Sequence, residues 1–172
     1  MAKMIPVLCV VAPGSGYGKT PLIQELVSGL LKQGITSCVL KHFGHRSDPD
    51  LGKDTWLYRK SGALGAAVVN EEGLASFFIP RRTMEESIAL LQSLNPDLII
   101  CEGFKGSNYP KIVVLREAEE FSILPSLSNV LAVVFNGKPP QRAGLPPIIR
   151  NDGSSLTAFV LSFFKAAVGG ET

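Results

Sequence analysis

The stretch Pro13-Gly14-Ser15-Gly16-Tyr17-Gly18-Lys19-Thr20 decides the fold of this 172-residue chain. Its three glycines let the backbone turn tightly and aim successive N–H groups inward, which makes a cradle for an anion. A lysine followed by a hydroxyl residue completes the pattern. Lys19 is expected to reach the β- and γ-phosphates of a nucleotide, and the Thr20 hydroxyl is expected to bind Mg²⁺. All the residues from Gly14 to Thr20 are therefore predicted to bind nucleotide.

The sequence on either side of this loop provides the setting that a P-loop requires, a buried strand before it and an amphipathic helix after it. Ile5–Ala12 is a continuous apolar run, typical of a strand that is buried on both faces. Lys19–Gln33 has apolar residues at helical spacing, and Gly34 is suited to end that helix. The alternative is a glycine-rich turn that merely connects the two elements. Pro13 replaces the usual first glycine, which stiffens the loop but leaves the amides from Ser15 onward available.

Strands alternate with helices along the rest of the chain. This alternation predicts right-handed crossovers and a mostly parallel sheet with helices on both faces. We therefore predict an α/β, three-layer P-loop NTPase fold with an antiparallel hairpin, in a single domain of residues 1–172. Such sheets bind ligands at the carboxyl ends of their strands, so the loops that begin at Pro13, Lys41, Glu102 and Asn136 are expected to share one face. The predicted strands are Ile5–Ala12, Thr36–Leu40, Leu64–Asn70, Leu74–Ile79, Leu98–Cys101, Lys111–Leu115, Val130–Phe135 and Pro147–Arg150, and the predicted helices are Lys19–Gln33, Thr55–Ser61, Met84–Leu94 and Leu156–Val168.

Composition and charge narrow the class of protein. The 17 basic and 15 acidic residues give a net charge of +2. Because no stretch is dense in Lys and Arg, we expect no nucleic-acid partner. No apolar run approaches the roughly 20 residues of a transmembrane helix, so we expect no membrane association. Cys9, Cys38 and Cys101 fit neither a metal spacing nor a disulfide framework, and they are expected to be reduced core residues of a cytoplasmic protein.

Four segments of the chain, in this order and spacing, resemble one protein family. They are Gly14–Thr20, then Val39–His45, then Gly52–Thr55 with Arg59 and Ser61–Ala63, and finally Asp97–Lys105 followed by Tyr109–Ile112. On these segments the chain resembles the molybdopterin-guanine dinucleotide biosynthesis protein B family, usually called MobB. The resemblance implies a homodimer that binds GTP with Mg²⁺ and hydrolyses GTP poorly. It also implies an adaptor that assists the molybdopterin guanylyltransferase, which attaches GMP to molybdopterin, and that meets other molybdopterin-handling proteins.

Two carboxylates are candidates for holding the metal and for orienting a water molecule. Glu102 ends an apolar strand, and a carboxylate there can bind Mg²⁺ directly or through water. Asp54 follows a flexible loop and is expected to complete the metal shell, as switch loops do in GTPases. The alternatives are that Glu102 caps the following turn and that Asp54 is the N-cap of the helix that begins at Thr55. We assign both residues to the catalytic and metal-binding set.

Positive residues near the same face are candidates for binding phosphate or an anionic partner molecule. We assign Lys41, His42 and Lys105 to the ligand-binding set. His42 and His45 are too few for a structural zinc site without a nearby cysteine or third histidine, and a plain polar loop is the alternative for His45. Lys105 and Lys111 together offer a place for a pterin phosphate, the alternative being lysines on a solvated loop.

The pattern for base recognition is incomplete. GTPases often read guanine through Asn-Lys-x-Asp after a late strand, but Asn136-Gly137-Lys138-Pro139 lacks the acidic residue. Asp152 lies too far along the chain to belong to that tetrad, although the next loop offers it a route to the base. The preference for GTP over ATP therefore rests on the resemblance.

Two other classes of function compete with the adaptor. A P-loop kinase or ATP-dependent ligase needs a basic lid, and Arg81-Arg82 is the only arginine cluster. A metallochaperone GTPase is expected to carry a Cys- or His-rich motif, which this chain lacks. No arginine occurs in the P-loop or between Glu102 and Lys111, although Arg46 and Arg59 flank the presumed switch loop. We therefore predict slow GTP turnover, with the nucleotide ordering the loop from Lys41 to Asp54.

Overall fold

The computed structural model describes residues 5–42, 48–80, 82–141 and 143–169. The sequence-based interpretations of His45, Arg46 and Arg81 lie outside these residues. The chain divides into two compact units. The first unit takes its described residues from 5–42 and from 90 to 169, and the second takes its residues from 48 to 89. The single domain of residues 1–172 stays a prediction.

Every predicted helix and strand is present, with ends that shift by at most three residues. In chain order the elements are β1 (Val7–Val11), α1 (Lys19–Leu31), β2 (Ser37–Lys41), α2 (Asp54–Lys60), β3 (Ala66–Val69), β4 (Ala75–Phe78), α3 (Met84–Gln92), β5 (Leu98–Glu102), β6 (Lys111–Val114), β7 (Val130–Val134), β8 (Ile148–Ile149) and α4 (Gly153–Gly169). A 3₁₀ helix at Ala118–Ser126 was not predicted. Its short repeat and internal Pro125 do not produce the apolar period of an α-helix.

The first unit is built on a six-stranded parallel sheet in the order β2-β5-β1-β6-β7-β8. All residues of β1 and β5 are buried, as expected for strands covered on both faces. On one face, Leu8 and Val10 of β1 share a core with Leu26 of α1 and with Leu156 and Val160 of α4. Because all the strands are parallel, their carboxyl ends lie at one edge, and the predicted α/β fold class is confirmed.

The opposite face of the sheet carries the alternate residues of the same strands. Cys9 of β1 and Cys101 of β5 are register partners there, and both are buried free thiols as predicted. Cys38 is only half-buried, which corrects its placement in the core. β2 is an edge strand, so one side of it has less cover than the central strands.

The ends of the helices follow from local sequence. Gly34 has a φ of 76°, and its N–H donates to Leu31 O at 2.9 Å, so it ends α1 as predicted. At the start of α3, Thr83 N donates to Glu86 Oε2 at 2.8 Å, and Glu86 N donates to Thr83 Oγ1 at 3.1 Å. A capping box is therefore present at the start of α3. Among the described residues, no helix is both long and apolar enough to cross a membrane.

The second unit contains α2 and the predicted hairpin of β3 and β4. Its strands pair antiparallel from Ala66 opposite Phe78 to Val69 opposite Ala75. Large apolar side chains of this unit are exposed: Phe77 by 71%, Val69 by 67% and Leu64 by 93%. The hairpin is thus a paired but uncovered element.

An ion pair holds the segment before α2 in the second unit. Arg59 Nη2 donates to Asp48 Oδ2 at 2.7 Å and also to Asp50, whose side chain is fully buried. The hydrogen bond from Arg59 holds the pKa of Asp48 below its usual range. Asp54 is the first residue of α2 and Lys53 is the N-cap, so the N-cap alternative for Asp54 is wrong.

Candidate functional site

The loop between β1 and α1 has the backbone of an anion cradle. Gly16 and Gly18 have φ values of 77° and 79°, in the left-handed region that favours glycine. A Cβ added at either position meets nothing within 4 Å, so their conformation, not crowding, requires glycine. Gly18 is the N-cap of α1 and makes no side-chain capping bond. The first N–H groups of α1 therefore have no capping side chain, which suits a phosphate as their acceptor.

Positive charge surrounds this loop. Lys19 Nζ donates to Gly14 O at 2.7 Å and therefore lies over the loop. Burial lowers the pKa of Lys19, and the neighbouring charges of Lys105 and Lys41 lower it further, while Glu102 opposes them. Lys105 Nζ donates to Pro13 O at 2.8 Å, at the start of the loop. Three ammonium groups near one carboxylate leave an excess of positive charge, which attracts an anion.

Thr20 and Glu102 meet where α1 begins and β5 ends. Thr20 Oγ1 lies 3.0 Å and 3.1 Å from the two carboxylate oxygens of Glu102. Lys41 Nζ lies 3.3 Å from Glu102 Oε1 and 3.3 Å from Thr20 Oγ1. The Glu102 carboxylate is 11% exposed and is directed at the P-loop threonine. This orientation favours the metal-binding interpretation over the turn-capping alternative.

The Thr20 and Glu102 oxygens suit Mg²⁺, which binds hard oxygen ligands. A magnesium site in a phosphate-transfer protein typically uses one or two carboxylates and completes its shell with phosphate oxygens and water. Within the described part of the chain, no group of three or more His, Cys, Asp or Glu residues is arranged to hold a metal. The donor set therefore fits a cation that is shared with a nucleotide better than one held by protein alone.

The turn that follows Glu102 is strained and packs against the end of β2. Gly103 has a φ of 93° and Phe104 a φ of 63°, an uncommon conformation for a large side chain that often marks a functional site. The rings of Phe104 and His42 lie 5.0 Å apart, and His42 N donates to Glu102 O at 2.9 Å. A Cβ at Gly103 would lie 3.0 Å from His42 Cβ, so glycine allows this approach. His42 is thus beside Glu102, as predicted from the parallel sheet.

Lys111 has a different environment from the solvated loop or pterin-phosphate site that the sequence predicts. Its side chain is fully buried. The ammonium donates to Tyr109 O at 2.9 Å, to Ser128 O at 3.1 Å and also to Ser107 O. Cys9 Sγ lies 3.5 Å from Ser107 Oγ. These carbonyl oxygens take the place of a counter-ion, so both alternatives for Lys111 are wrong.

The segment after β6 contacts the P-loop, and sequence reasoning missed it. Arg116 Nη2 donates to Gly16 O, and Arg116 Cζ lies 5.1 Å from the centre of the Tyr17 ring. Tyr17 OH donates to Glu120 Oε1, which raises the pKa of Tyr17. Arg116 N donates to Glu120 Oε2 at 2.7 Å. The residues are about 100 positions apart in sequence, so only the pairing of β1 with β6 could have pointed to this contact.

The loops expected to read the base are held by hydrogen bonds of their own. Asn151 N donates to Asn136 Oδ1 at 2.8 Å, which joins the loops after β7 and β8. The Asp152 carboxylate accepts from Ser155 N at 2.7 Å and from Ser154 Oγ at 2.7 Å. The bond from Ser155 N is the main cause of the lowered pKa of Asp152. Asp152 is therefore the N-cap of α4, a structural role that occupies its carboxylate.

The structure brings most of the predicted site together in the first unit. The P-loop, Lys41, His42, Glu102 and Lys105 all lie at the carboxyl edge of the sheet. Asp54 belongs to the second unit, where its side chain is exposed, and its metal-binding and catalytic roles stay predictions.

Comparisons with known proteins place the chain in a family. It matches the family of molybdopterin guanine dinucleotide synthesis protein B, MobB, over residues 7–136. The molybdopterin-guanine dinucleotide biosynthesis adapter protein of Escherichia coli (strain K12) is 37% identical over 174 residues, which cover 96% of this chain and 97% of that protein. The crystal structure of Bacillus subtilis MobB superposes with a TM-score of 0.72 at 32% identity and covers 92% of this chain and 97% of that one. A Mycobacterium smegmatis cobyrinic acid a,c-diamide synthase with bound ADP and magnesium has a TM-score of 0.54 at 15% identity over 98% of this chain and 97% of that one, and it shares the fold. With a match over more than half of its length, and a relative well above 30% identity along nearly all of it, this chain belongs to the MobB family.

Proposed function

We propose that this protein is a GTP-binding adapter in the biosynthesis of molybdopterin guanine dinucleotide, where it assists the conversion of molybdopterin. The observation that carries the proposal is the contact of Thr20 with Glu102 at the end of the glycine-rich P-loop, in a chain of the MobB family. Family membership favours this role over the alternative of a small-molecule kinase or ligase. In this proposal, nucleotide binding at this site regulates the adapter.

Different residues of the first unit bind the phosphates and the metal ion. The amides of the loop and of the α1 N-terminus donate to phosphate oxygens, and Lys19 supplies a charge-assisted bond. Thr20 and Glu102 would hold Mg²⁺, which when bound neutralises charge between the β- and γ-phosphates. Because Lys41 now pairs with Glu102, a change of partner by that carboxylate releases the Lys41 ammonium. Lys41 can then pair with a phosphate or with an anionic group of the partner molecule.

The choice of GTP over ATP rests on the family. The loops after β7 and β8, where the sequence predicts base recognition, are joined by a hydrogen bond from Asn151 N to Asn136 Oδ1. The test is calorimetric titration of the purified protein with GTP, ATP and GDP, each with and without Mg²⁺. We expect GTP to bind most tightly and to need Mg²⁺. Equal affinity for ATP would overturn the GTP assignment, and failure of every nucleotide to bind would overturn the proposed site.

Slow hydrolysis is part of the proposal. The guanidinium of Arg116 is bound to Gly16 O, and that of Arg59 is bound to Asp48 and Asp50. Of the arginines that the structure describes, neither of these two is poised as a free arginine finger, a group worth about 10³–10⁵ in rate. Steady-state GTP hydrolysis is measured with the protein alone and with guanylyltransferase and molybdopterin. Turnover alone above about one per second, or phosphorylation of a small acceptor, would move the protein to the enzyme class.

The proposed assembly is a cytoplasmic homodimer that meets the molybdopterin guanylyltransferase and other molybdopterin-handling proteins. The exposed apolar hairpin of the second unit supports self-association, because uncovered strands and apolar patches favour pairing with another copy. The buried free thiols of Cys9 and Cys101 suit a reducing compartment. Light scattering at micromolar concentration tests the dimer, and a mass of 18.4 kDa would contradict it.

A further inference from the structure

The segment that follows β6 grips one peptide of the P-loop from outside the phosphate site. Arg116 binds Gly16 O with its guanidinium and stacks that group on the Tyr17 ring. Glu120 accepts from both Arg116 N and Tyr17 OH. Two P-loop residues are therefore tied to this segment by two hydrogen bonds and a cation–π contact, and a third hydrogen bond joins Arg116 to Glu120.

This grip approaches the loop from the opposite side to the metal-binding residues. β6 and β5 flank β1 on its two sides. Arg116 extends from the end of β6, whereas Glu102 ends β5 and contacts Thr20. The Gly16 carbonyl that Arg116 holds therefore faces the β6 side.

The orientation of that carbonyl fixes the orientation of an amide. The chain has no cis peptide among its described residues, and in a trans peptide the C=O and the next N–H point in opposite directions. When Gly16 O is held on the β6 side, the N–H of Tyr17 must point away from it. Gly16 has a φ of 77° and no Cβ, so without an anchor this peptide is free to rotate.

We propose that Arg116 is a positioning residue for nucleotide binding, which holds the Gly16–Tyr17 peptide so that the Tyr17 amide faces the phosphates. The inference rests on the proposed nucleotide site and adds a residue to it. The positive charge of the Arg116 guanidinium next to Gly16 O also polarises this peptide, which strengthens the Tyr17 N–H as a donor.

Glu120 keeps this arrangement together and is ionised when it does so. Burial alone would raise the pKa of Glu120, but the bonds from Arg116 N, Tyr17 OH and Glu117 N lower it overall. As a carboxylate, Glu120 accepts from both sides, and it orients the backbone of Arg116 and the ring on which the guanidinium stacks.

The test compares Arg116→Gln with Arg116→Lys in the full-length protein, using GTP with Mg²⁺ as the probe. We expect Arg116→Gln to weaken binding about five- to tenfold and Arg116→Lys to restore part of it, since one charged hydrogen bond is the size of effect at stake. Arg82→Gln is the matched control, because Arg82 pairs with Glu86 on the surface of α3. Its affinity should equal that of the unaltered protein.

A second measurement separates positioning from general loss of structure. In ¹⁵N-resolved NMR titrations, the Tyr17 amide of the unaltered protein should shift strongly on addition of GTP and Mg²⁺. In Arg116→Gln that shift should shrink while the Lys19 amide still responds. If the unaltered protein binds no nucleotide, the proposed function fails and this inference fails with it. If it binds and Arg116→Gln binds equally with the same Tyr17 shift, this inference alone is overturned.

Discussion

The two compact units of this chain cover their strands in different ways. In the first unit, every residue of β1 and β5 is buried, and the sheet supplies both a core and a ligand edge. In the second unit, β3 and β4 pair only with each other, and Phe77 and Val69 remain largely exposed. A parallel sheet with covered faces can carry a site alone, whereas a bare apolar hairpin needs a partner. The proposed nucleotide binding therefore falls to the first unit and the proposed self-association to the second.

The largest expected effect is a difference in stability between substitutions in the two units. Leu26→Ala removes a side chain of α1 that is fully buried in the first unit. We expect a loss of about 2–5 kcal/mol in the free energy of unfolding, because the cavity cannot be refilled. Leu74→Ala is the control in the second unit, where Leu74 is 68% exposed, and it should change stability by less than about 0.5 kcal/mol. Urea titration followed by circular dichroism measures both, and similar losses would show that the two units are covered alike.

The next effect is a loss of nucleotide binding in the first unit with no change in the self-association proposed for the second. Lys19→Ala should weaken binding of GTP with Mg²⁺ at least about tenfold, because a charge-assisted bond to phosphate is lost. Calorimetry gives the affinity and light scattering gives the mass, which should stay that of a dimer. Lys32→Ala, just after the other end of α1, is the control. Unchanged affinity in Lys19→Ala would refute the P-loop assignment.

Substitution in the hairpin should weaken self-association and leave nucleotide binding intact. Phe77→Ser removes an apolar side chain that is 71% exposed. We expect the mass in light scattering to fall toward 18.4 kDa while GTP affinity changes less than about twofold. Leu31→Ser, at an apolar position of the first unit that is 64% exposed, should leave the mass unchanged. A dimer that survives Phe77→Ser and dissociates with Leu31→Ser would assign association to the first unit instead.

A smaller effect concerns the two carboxylates proposed for Mg²⁺, one in each unit. Glu102→Gln should remove most of the several-fold gain in GTP affinity that Mg²⁺ gives, because a carboxylate is the ligand that Mg²⁺ prefers. Asp54→Asn is expected to have a part of that effect. Titrations at matched Mg²⁺ concentrations measure each variant and the double variant. If the double variant keeps the full Mg²⁺ dependence, both carboxylates have been misassigned.

The smallest effect is a dependence on pH. Burial and the charges of Lys105 and Lys41 lower the pKa of Lys19 in the free protein. A bound phosphate favours the charged ammonium, so GTP affinity is complete below the lowered pKa and declines as pH rises through it. The stability of the unliganded protein changes with pH in the opposite direction. The unfolded chain binds the proton more tightly, and stability rises through the same window. Calorimetry in buffers of different ionisation enthalpy should detect proton uptake on binding at alkaline pH, around the lowered pKa of Lys19. Lys19→Ala should show none.

Local sequence was sufficient for the elements and for half of the site. The glycines of the P-loop and the Thr83 capping box act within a few residues, so their pattern predicts their structure. Arg116 was missed because its contact with Gly16 spans 100 positions and depends on β6 lying beside β1. Lys111 was misplaced for a similar reason. A lysine at the start of a strand is usually solvated, and only the carbonyls of Ser107, Tyr109 and Ser128 make its burial tolerable.

The buried ammonium of Lys111 has a consequence for how the β5–β6 connection opens. Residues 103–110 contain no helix, and the Lys111 ammonium binds two of their carbonyl oxygens, Ser107 O and Tyr109 O, together with Ser128 O. The connection cannot open one residue at a time, because release of the Lys111 ammonium breaks its hydrogen bonds to all three carbonyl oxygens at once. Its amides should therefore exchange with solvent deuterium as one cooperative group, and far more slowly than a bare loop allows. A single interior cation thus gives a stretch without regular structure the kinetics of a structured one.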